Sequence, residues 1–324
     1  MPETLDEQLL KHLTDVHSIE EQALTQLRRA PDIAGHEELA RVYSEHLVET
    51  EDQERRVRER LAALGGDPSR AKDLIARAGG MGMVLFARSQ PDTPGKLTAH
   101  AYSYEHMELA AYDLLGLVAD RAGDEATGEL ARAIREQESA MAERLAANFD
   151  SSVDASLREL DPESLQEQLT KYLADAHAIE EQAIELLSRG PAIAGQSELA
   201  RVFEEHLEQT RAQQATLEAR LEALGGSPSL LKDAALRAGG LNLGGFFAAQ
   251  PDTPAKLAGF AFAFEHLEIG AYAHLKRVAE RAGDEETAGA AERIAGEERA
   301  AAESIRAQFG PAVEAALEAQ GVSA

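Results

Sequence analysis

The chain has 324 residues, 44% of them apolar, which is enough to bury two cores of ordinary domain size. It contains no cysteine, which excludes disulfides, thiolate nucleophiles, zinc ribbons and cysteine-ligated iron–sulfur clusters and fits a reducing compartment. Its 58 Asp plus Glu against 32 Lys plus Arg leave a net charge of −26, so nucleic acid and anionic membrane are not expected partners; the charge is compatible with metal cations but is read first as a solvated acidic helical surface.

No basic segment followed by an apolar stretch opens the sequence and no apolar run reaches membrane-spanning length, so a cytoplasmic protein is expected. The chain repeats itself: Asp15-Val16-His17-Ser18-Ile19-Glu20-Glu21-Gln22-Ala23 returns as Asp175-Ala176-His177-Ala178-Ile179-Glu180-Glu181-Gln182-Ala183, an offset of 160 residues. Gln90-Pro91-Asp92-Thr93-Pro94 and Gln250-Pro251-Asp252-Thr253-Pro254 keep that offset without a gap. Two copies of one domain, 1–150 and 163–310, therefore account for the chain, with a linker at 151–162 and a C-terminal helical tail at 311–324.

Strand signals are missing, and Ala, Leu, Glu, Arg and Gln favour helix, so the class is all-α. In chain order, the first copy predicts helices at 3–29, 36–64, 94–121 and 124–148. Pro31 and Gly35 separate the first two, Gly65-Gly66-Asp67-Pro68 ends the second, Thr93-Pro94 starts the third, and Gly123-Asp124 divides the last pair. A connection of about 29 residues joins the second helix to the third and is expected to hold short helices at 69–78 and 82–89; Gly79-Gly80 and Gly239-Gly240 read as helix stops. A long middle connection between two short-looped hairpins is the topology of a four-helix bundle with one crossover, as in ferritin-like folds.

Steps of three and four along each helix trace the stripe that faces a bundle core. The first helix reads Leu9, Leu13, Val16, Glu20, Ala23, Leu27, and the third reads Leu97, Ala101, Tyr104, Glu108, Ala111, Leu115. The second carries His46 and Glu49, and the fourth Glu138, at the same mid-helix level. Ionised carboxylates in an apolar interior need compensation, and divalent metal supplies it. Glu20, Glu49, Glu108 and Glu138 are the expected ligands, with His46 and Glu105 completing the set and His17 and His177 as further donors. Carboxylate oxygen with some imidazole suits iron or manganese. The second copy offers Glu180, His206, Gln209, Glu265, Glu268 and Glu298; with Gln209 in place of Glu49 it takes two metals, one, or none. His106 and His266 point about 100° off that face and are expected to make a buried hydrogen bond, and Tyr112 and Tyr272 to pack.

Asp15-x-x-x-x-Glu20, His46-Leu47-x-Glu49-Thr50-x-x-Gln53, Glu105-His106-x-Glu108-x-x-x-Tyr112 and the acidic pair at Glu136 and Glu138 cover nearly all of one copy and resemble the YciE/YciF-type ferritin-like proteins, a bacterial group associated with stress. The second copy shows Glu265-His266-x-Glu268-x-x-x-Tyr272 and Glu297-Glu298. The resemblance implies tandem ferritin-like bundles with a dinuclear centre, usually drawn as di-iron; two Fe are expected in the first copy, the second is left open, and the donor types admit Mn as the other metal. Two features depart from ferritin-like habit. The order His46-x-x-Glu49 inverts Glu-x-x-His, and the fourth helix has no His. The tandem duplication implies that the two copies form internally the dimer that single-domain relatives make from two chains. Reaction with oxygen or peroxide in a stress response is the leading function, as an oxidase, ferroxidase or peroxidase-like protein; a non-catalytic scaffold with a structural metal or polar core is the alternative.

Overall fold

The computed structural model describes residues 4–68, 93–158, 160–195, 197–227 and 253–322. These residues form helices and turns, with no strand and no helix long and apolar enough to cross a membrane among them. The first copy comprises α1 (Leu5–Leu27), α2 (Ala30–Ile33), α3 (Glu37–Ala63), α4 (Thr93–Ala122), α5 (Glu125–Ala147) and α6 (Phe149–Leu157). The second comprises α7 (Pro162–Ala194), α8 (Glu198–Ala223), α9 (Thr253–Ala282), α10 (Glu285–Arg306) and α11 (Phe309–Ala319). The short helices expected at 69–78 and 82–89 and both Gly-Gly pairs lie outside the described residues. Contacts divide the chain into two compact units, Met1–Ser156 with Leu317–Ala324, and Leu157–Ala316. Much of the segment expected as a linker at 151–162 is helical: α6 runs to Leu157, with Phe149 and Val153 buried.

Within the first unit α1 packs against α3 and α4, and α5 packs against α4 and α3. That ring of four neighbours is a helix bundle, and the second unit repeats it with α7, α8, α9 and α10. The stripes predicted from periodicity line its axis: Leu9, Leu13 and Val16 of α1, Leu39, Val42, Val57 and Leu61 of α3, Leu115 and Val118 of α4, and Ile134, Met141 and Leu145 of α5 are all buried. Burying each large aliphatic side chain contributes about 1.5–3 kcal/mol, so the stripes, more than helix propensity, hold the helices together.

Local chemistry sets where each helix begins. Thr4 and Glu7 form a reciprocal capping box on α1, and the Asp124 carboxylate accepts from the Thr127 amide at 3.1 Å to start α5. This second cap also fixes axial register. Arg60, in the last turn of α3, donates to Thr127 Oγ1 at 2.8 Å and pairs with Asp124. Arg220 repeats this with Thr287 at 3.0 Å and with Asp284. The end of the second long helix is thus tied to the start of the fourth in each copy, which levels the residues midway along both.

The copies differ where the first helix ends. In the first copy it breaks after Leu27 and α2 follows, whereas α7 runs unbroken to Ala194 with Pro191 inside it. Gly190 and Phe203 occupy the positions of Ala30 and Tyr43. A Cβ at Gly190 would stand 2.4 Å from Cδ2 of the fully buried Phe203 ring. Gly190→Ala is therefore expected to destabilise the chain by about 1–3 kcal/mol, because a packed ring cannot recede without strain. A lowered urea midpoint measures this, with Ala30→Gly in the first copy as the contrast that creates space.

Candidate metal centre

Midway along the first bundle, three of its four long helices bring together His46 (α3), Glu105 and Glu108 (α4) and Glu138 (α5). One potential ligand atom from each lies within 4.8 Å of the other three, and all four side chains are buried. Glu20 of α1 is fully buried beside them, close enough that Glu105 acts on its charge. The second bundle groups His206, Glu265 and Glu298 in the same way, with Glu180 and Glu268 also buried.

His46 is held from two sides. Its Nδ1 is 3.0 Å from Glu49 Oε2, while its Nε2 points inward, 3.2 Å from Glu105 Oε2 and 3.4 Å from Glu138 Oε2. Gln53, fully buried one heptad beyond His46, donates from Nε2 to Glu138. Tyr112 donates its hydroxyl to Glu20, so the packing role expected for this phenol is replaced by a hydrogen bond to a carboxylate. Each arrangement recurs at the 160-residue offset: Gln213 donates to Glu298, Tyr272 to Glu180, and His206 Nε2 stands 2.9 Å from Glu265 Oε2.

Glu49 is where the expected ligand set changes. The buried line of α3 runs through His46, Thr50, Gln53, Val57 and Leu61, and Glu49 stands beside it with 35% of its side chain exposed. Arg144 of α5 holds its Oε2 at 2.6 Å. Glu49 therefore lies behind the histidine at the bundle edge, outside the buried group, and Glu105 takes the inner place. The reason is helical geometry: a residue three positions from His46 is rotated about 60° back from it, off the narrow buried line of α3 on which His46 itself lies. Gln209 mirrors Glu49, with Oε1 at 3.3 Å from His206 Nδ1. The change from Glu to Gln consequently removes no oxygen from the buried group.

His17 also stands apart from that group. It meets Glu54 at 3.1 Å and, with Glu21, forms a separate His–carboxylate group between α1 and α3. His177 turns instead to Glu218 at 3.3 Å. His106 and His266 donate Nδ1–H to the carbonyls of Tyr102 at 2.7 Å and Phe262 at 2.8 Å, bonds to their own helices as their rotation off the inner face predicts.

The electrostatics are those of charge confined without solvent. Burial pushes Glu20 up to about 8 against the opposing hydrogen bond from Tyr112. Burial and then the neighbouring Glu138, Glu105 and Glu20 drive Glu108 well above the usual carboxylate range. Glu138 is raised by burial and then by Glu105. Burial opposes charge on His46, yet Glu105, Glu49 and Glu138 together hold its pKa well above that of free imidazole. In the second copy Glu180 and Glu268 are raised well above the ordinary value, chiefly by burial, and Glu265 to about 8. Glu49 goes the other way, down to about 2, through its bonds to His46 and Arg144.

The donor set fits a divalent cation. Oε2 of Glu20 and Oε2 of Glu108 are buried and accept no hydrogen bond, and the same holds for Oε2 of Glu180 and both oxygens of Glu268. Such oxygens cost roughly 1–3 kcal/mol each when left unmet, and more when charged. A cation among His46, Glu105, Glu108 and Glu138 would give Glu108 the partner it lacks; Glu20, Glu180 and Glu268 are buried outside the two close groups.

Comparison with known proteins adds the following. A family model described as "Domain of unknown function (DUF892)" matches residues 4–158 and again residues 164–318. Among solved structures, a crystal structure of a protein from Xanthomonas campestris pv. campestris is 32% identical to this chain, covering 49% of it and 99% of its own length with a TM-score of 0.40.

Proposed function

The chain belongs to the family of the domain of unknown function DUF892, as two tandem members, and from that premise we propose that each copy binds iron or manganese between its helices and reacts with oxygen or peroxide. The observation that carries this reading is the buried group of His46, Glu105, Glu108 and Glu138, whose potential ligand atoms lie within 4.8 Å of one another and in which Glu108 Oε2 accepts no hydrogen bond. The four carboxylates Glu20, Glu105, Glu108 and Glu138 are all buried, and the charge of about two divalent ions, the complement of a dinuclear bundle site, balances theirs when ionised.

The residues that would hold metal in the first copy are His46, Glu105, Glu108, Glu138 and Glu20; in the second they are His206, Glu265, Glu268, Glu298 and Glu180. Bound iron or manganese supplies electron transfer to oxygen or peroxide. The protein's part is positional. Tyr112 keeps one oxygen of Glu20 engaged, Gln53 does the same for Glu138, and Glu49 aims His46 from behind. Leu13 on the stripe of Glu20, and Ile134 and Met141 on the stripe of Glu138, are buried, so these helix faces are closed to bulk water. The resemblance to YciE/YciF-type proteins supports a place in stress response.

Anaerobic loading with ferrous iron tests the reading: about two ions per copy should be retained after desalting, and admitted oxygen should be consumed faster than by the same iron in buffer. Failure to retain either iron or manganese overturns it. Retention without oxygen or peroxide consumption supports the scaffold reading with a structural metal.

A further inference from the structure

The two copies share their buried donors but not what stands behind the histidine. In the first copy Glu49 accepts from His46 Nδ1 at 3.0 Å, and Arg144 clamps the same carboxylate oxygen at 2.6 Å. In the second, Gln209 Oε1 stands 3.3 Å from His206 Nδ1, and Ser304, at the position of Arg144, spends its hydroxyl on the carbonyl of Ala300 at 2.9 Å. Both members of the pair change together, so the net charge behind each histidine is the same. What differs is the charge nearest Nδ1: a full carboxylate in the first copy, a neutral amide oxygen in the second.

We propose that this exchange makes the two centres of one chain unequal, with Glu49 and Arg144 giving the first copy the tighter metal site and Gln209 and Ser304 leaving the second the weaker one. The inference rests on the metal-binding reading above. A carboxylate accepting Nδ1–H fixes the tautomer that leaves Nε2 free for metal and makes that nitrogen a stronger donor; an amide does the first and much less of the second. Arg144 adds position. By engaging Glu49 from the bundle edge it keeps this carboxylate behind the histidine, where it strengthens Nε2, and away from the inner oxygens. Glu49 and Arg144 are thus positioning residues, and the pair has no counterpart in the second copy.

Removing such a histidine partner costs about 10–100-fold in metal affinity. The test is titration of the metal-free full chain with cobalt(II) against a competing chelator, followed by visible absorption, with circular dichroism to confirm folding. The wild-type chain should show two affinity classes about tenfold or more apart. Glu49→Gln, at a half-exposed position, should weaken the tight class until the two merge, and Gln209→Glu with Ser304→Arg should tighten the weak class. Glu138→Gln identifies the copy by removing the tight class alone. A single class in the wild-type chain overturns the proposal, as does a tight class that Glu49→Gln leaves unmoved while both copies fill. No cobalt uptake at all overturns the metal-centre reading itself, and this inference with it, a result distinct from equal filling of two sites.

Discussion

Replacing Glu108 and Glu138 together by glutamine should abolish metal uptake by the first copy and, at neutral pH, make the metal-free chain more stable. Both carboxyls lie in a dry layer, at 1% and 0% exposure, where burial and then repulsion from neighbouring carboxylates raise their pKa values. A neutral amide of almost the same shape removes the cost of confined charge. It keeps the oxygen that accepts from Gln53, and it brings N–H donors to a group poor in them. Relieving confined charge of this kind is worth about 1–4 kcal/mol. At roughly 2–4 °C per kcal/mol for a domain of this size, the metal-free melting point should rise by several degrees. The metal-saturated comparison reverses the order, because only the wild-type first copy gains binding free energy, about 4 kcal/mol at a thousandfold excess over Kd. Calorimetry with and without manganese reads both signs. Undiminished metal content in the double variant removes these residues from the centre, and a lower melting point of the metal-free variant removes the charge argument.

The second large effect is on pH dependence. Glu20 and Glu265 are raised from 4.5 to about 8, chiefly by burial. Below pH 4.5 both carboxyls are protonated whether the chain is folded or not, so their contribution is fully present. Between 4.5 and 8 the unfolded chain releases these protons while the folded chain keeps them, and stability falls by up to about 1.4 kcal/mol per pH unit for each group. His206, held near 11 by Glu265 and Glu298 against the opposing effect of burial, adds to the same decline above its unfolded value of 6.5. Glu49, lowered to about 2, acts oppositely but only below pH 4.5, outside this window. The metal-free chain is therefore expected to be most stable near pH 5 and to lose several kcal/mol by pH 8. Metal replaces the protons, and its binding strengthens as they leave, so the saturated chain should gain stability over the same range. Urea midpoints at pH 5, 6.5 and 8, with chelator and with manganese, should slope in opposite directions. Parallel slopes would remove the coupling between protons and metal at this site.

Much of this buried group of side chains is legible in the sequence because one helix periodicity runs through all eight long helices. Leu9, Leu13 and Val16 announce the face on which Glu20 must lie, and Ile134, Met141 and Leu145 do the same for Glu138. The duplication makes each reading twice, and the two copies agree on the buried donors. On α4 periodicity is less decisive, because residues around Glu105 and Glu108 are buried on more than one side, and both glutamates turn inward.

The roles of Glu49, Tyr112 and Arg60 are not legible in this way. Sequence spacing places a residue on an angular sector of its own helix, and Glu49 falls in an acceptable one. Whether it faces the bundle axis or the edge depends on which neighbour packs against that sector, and here the neighbour is Arg144, 95 residues away. Tyr112 and Glu20 are 92 residues apart, and Arg60 and Asp124 are 64 apart. Fold class, the duplication and the inward-facing glutamates follow from residue type and period, which are local properties of the chain. The partner of each carboxylate, the displacement of Glu49 behind His46 and the resulting inequality of the two copies come from contacts between helices, because axial level and neighbour identity exist only once the helices have packed.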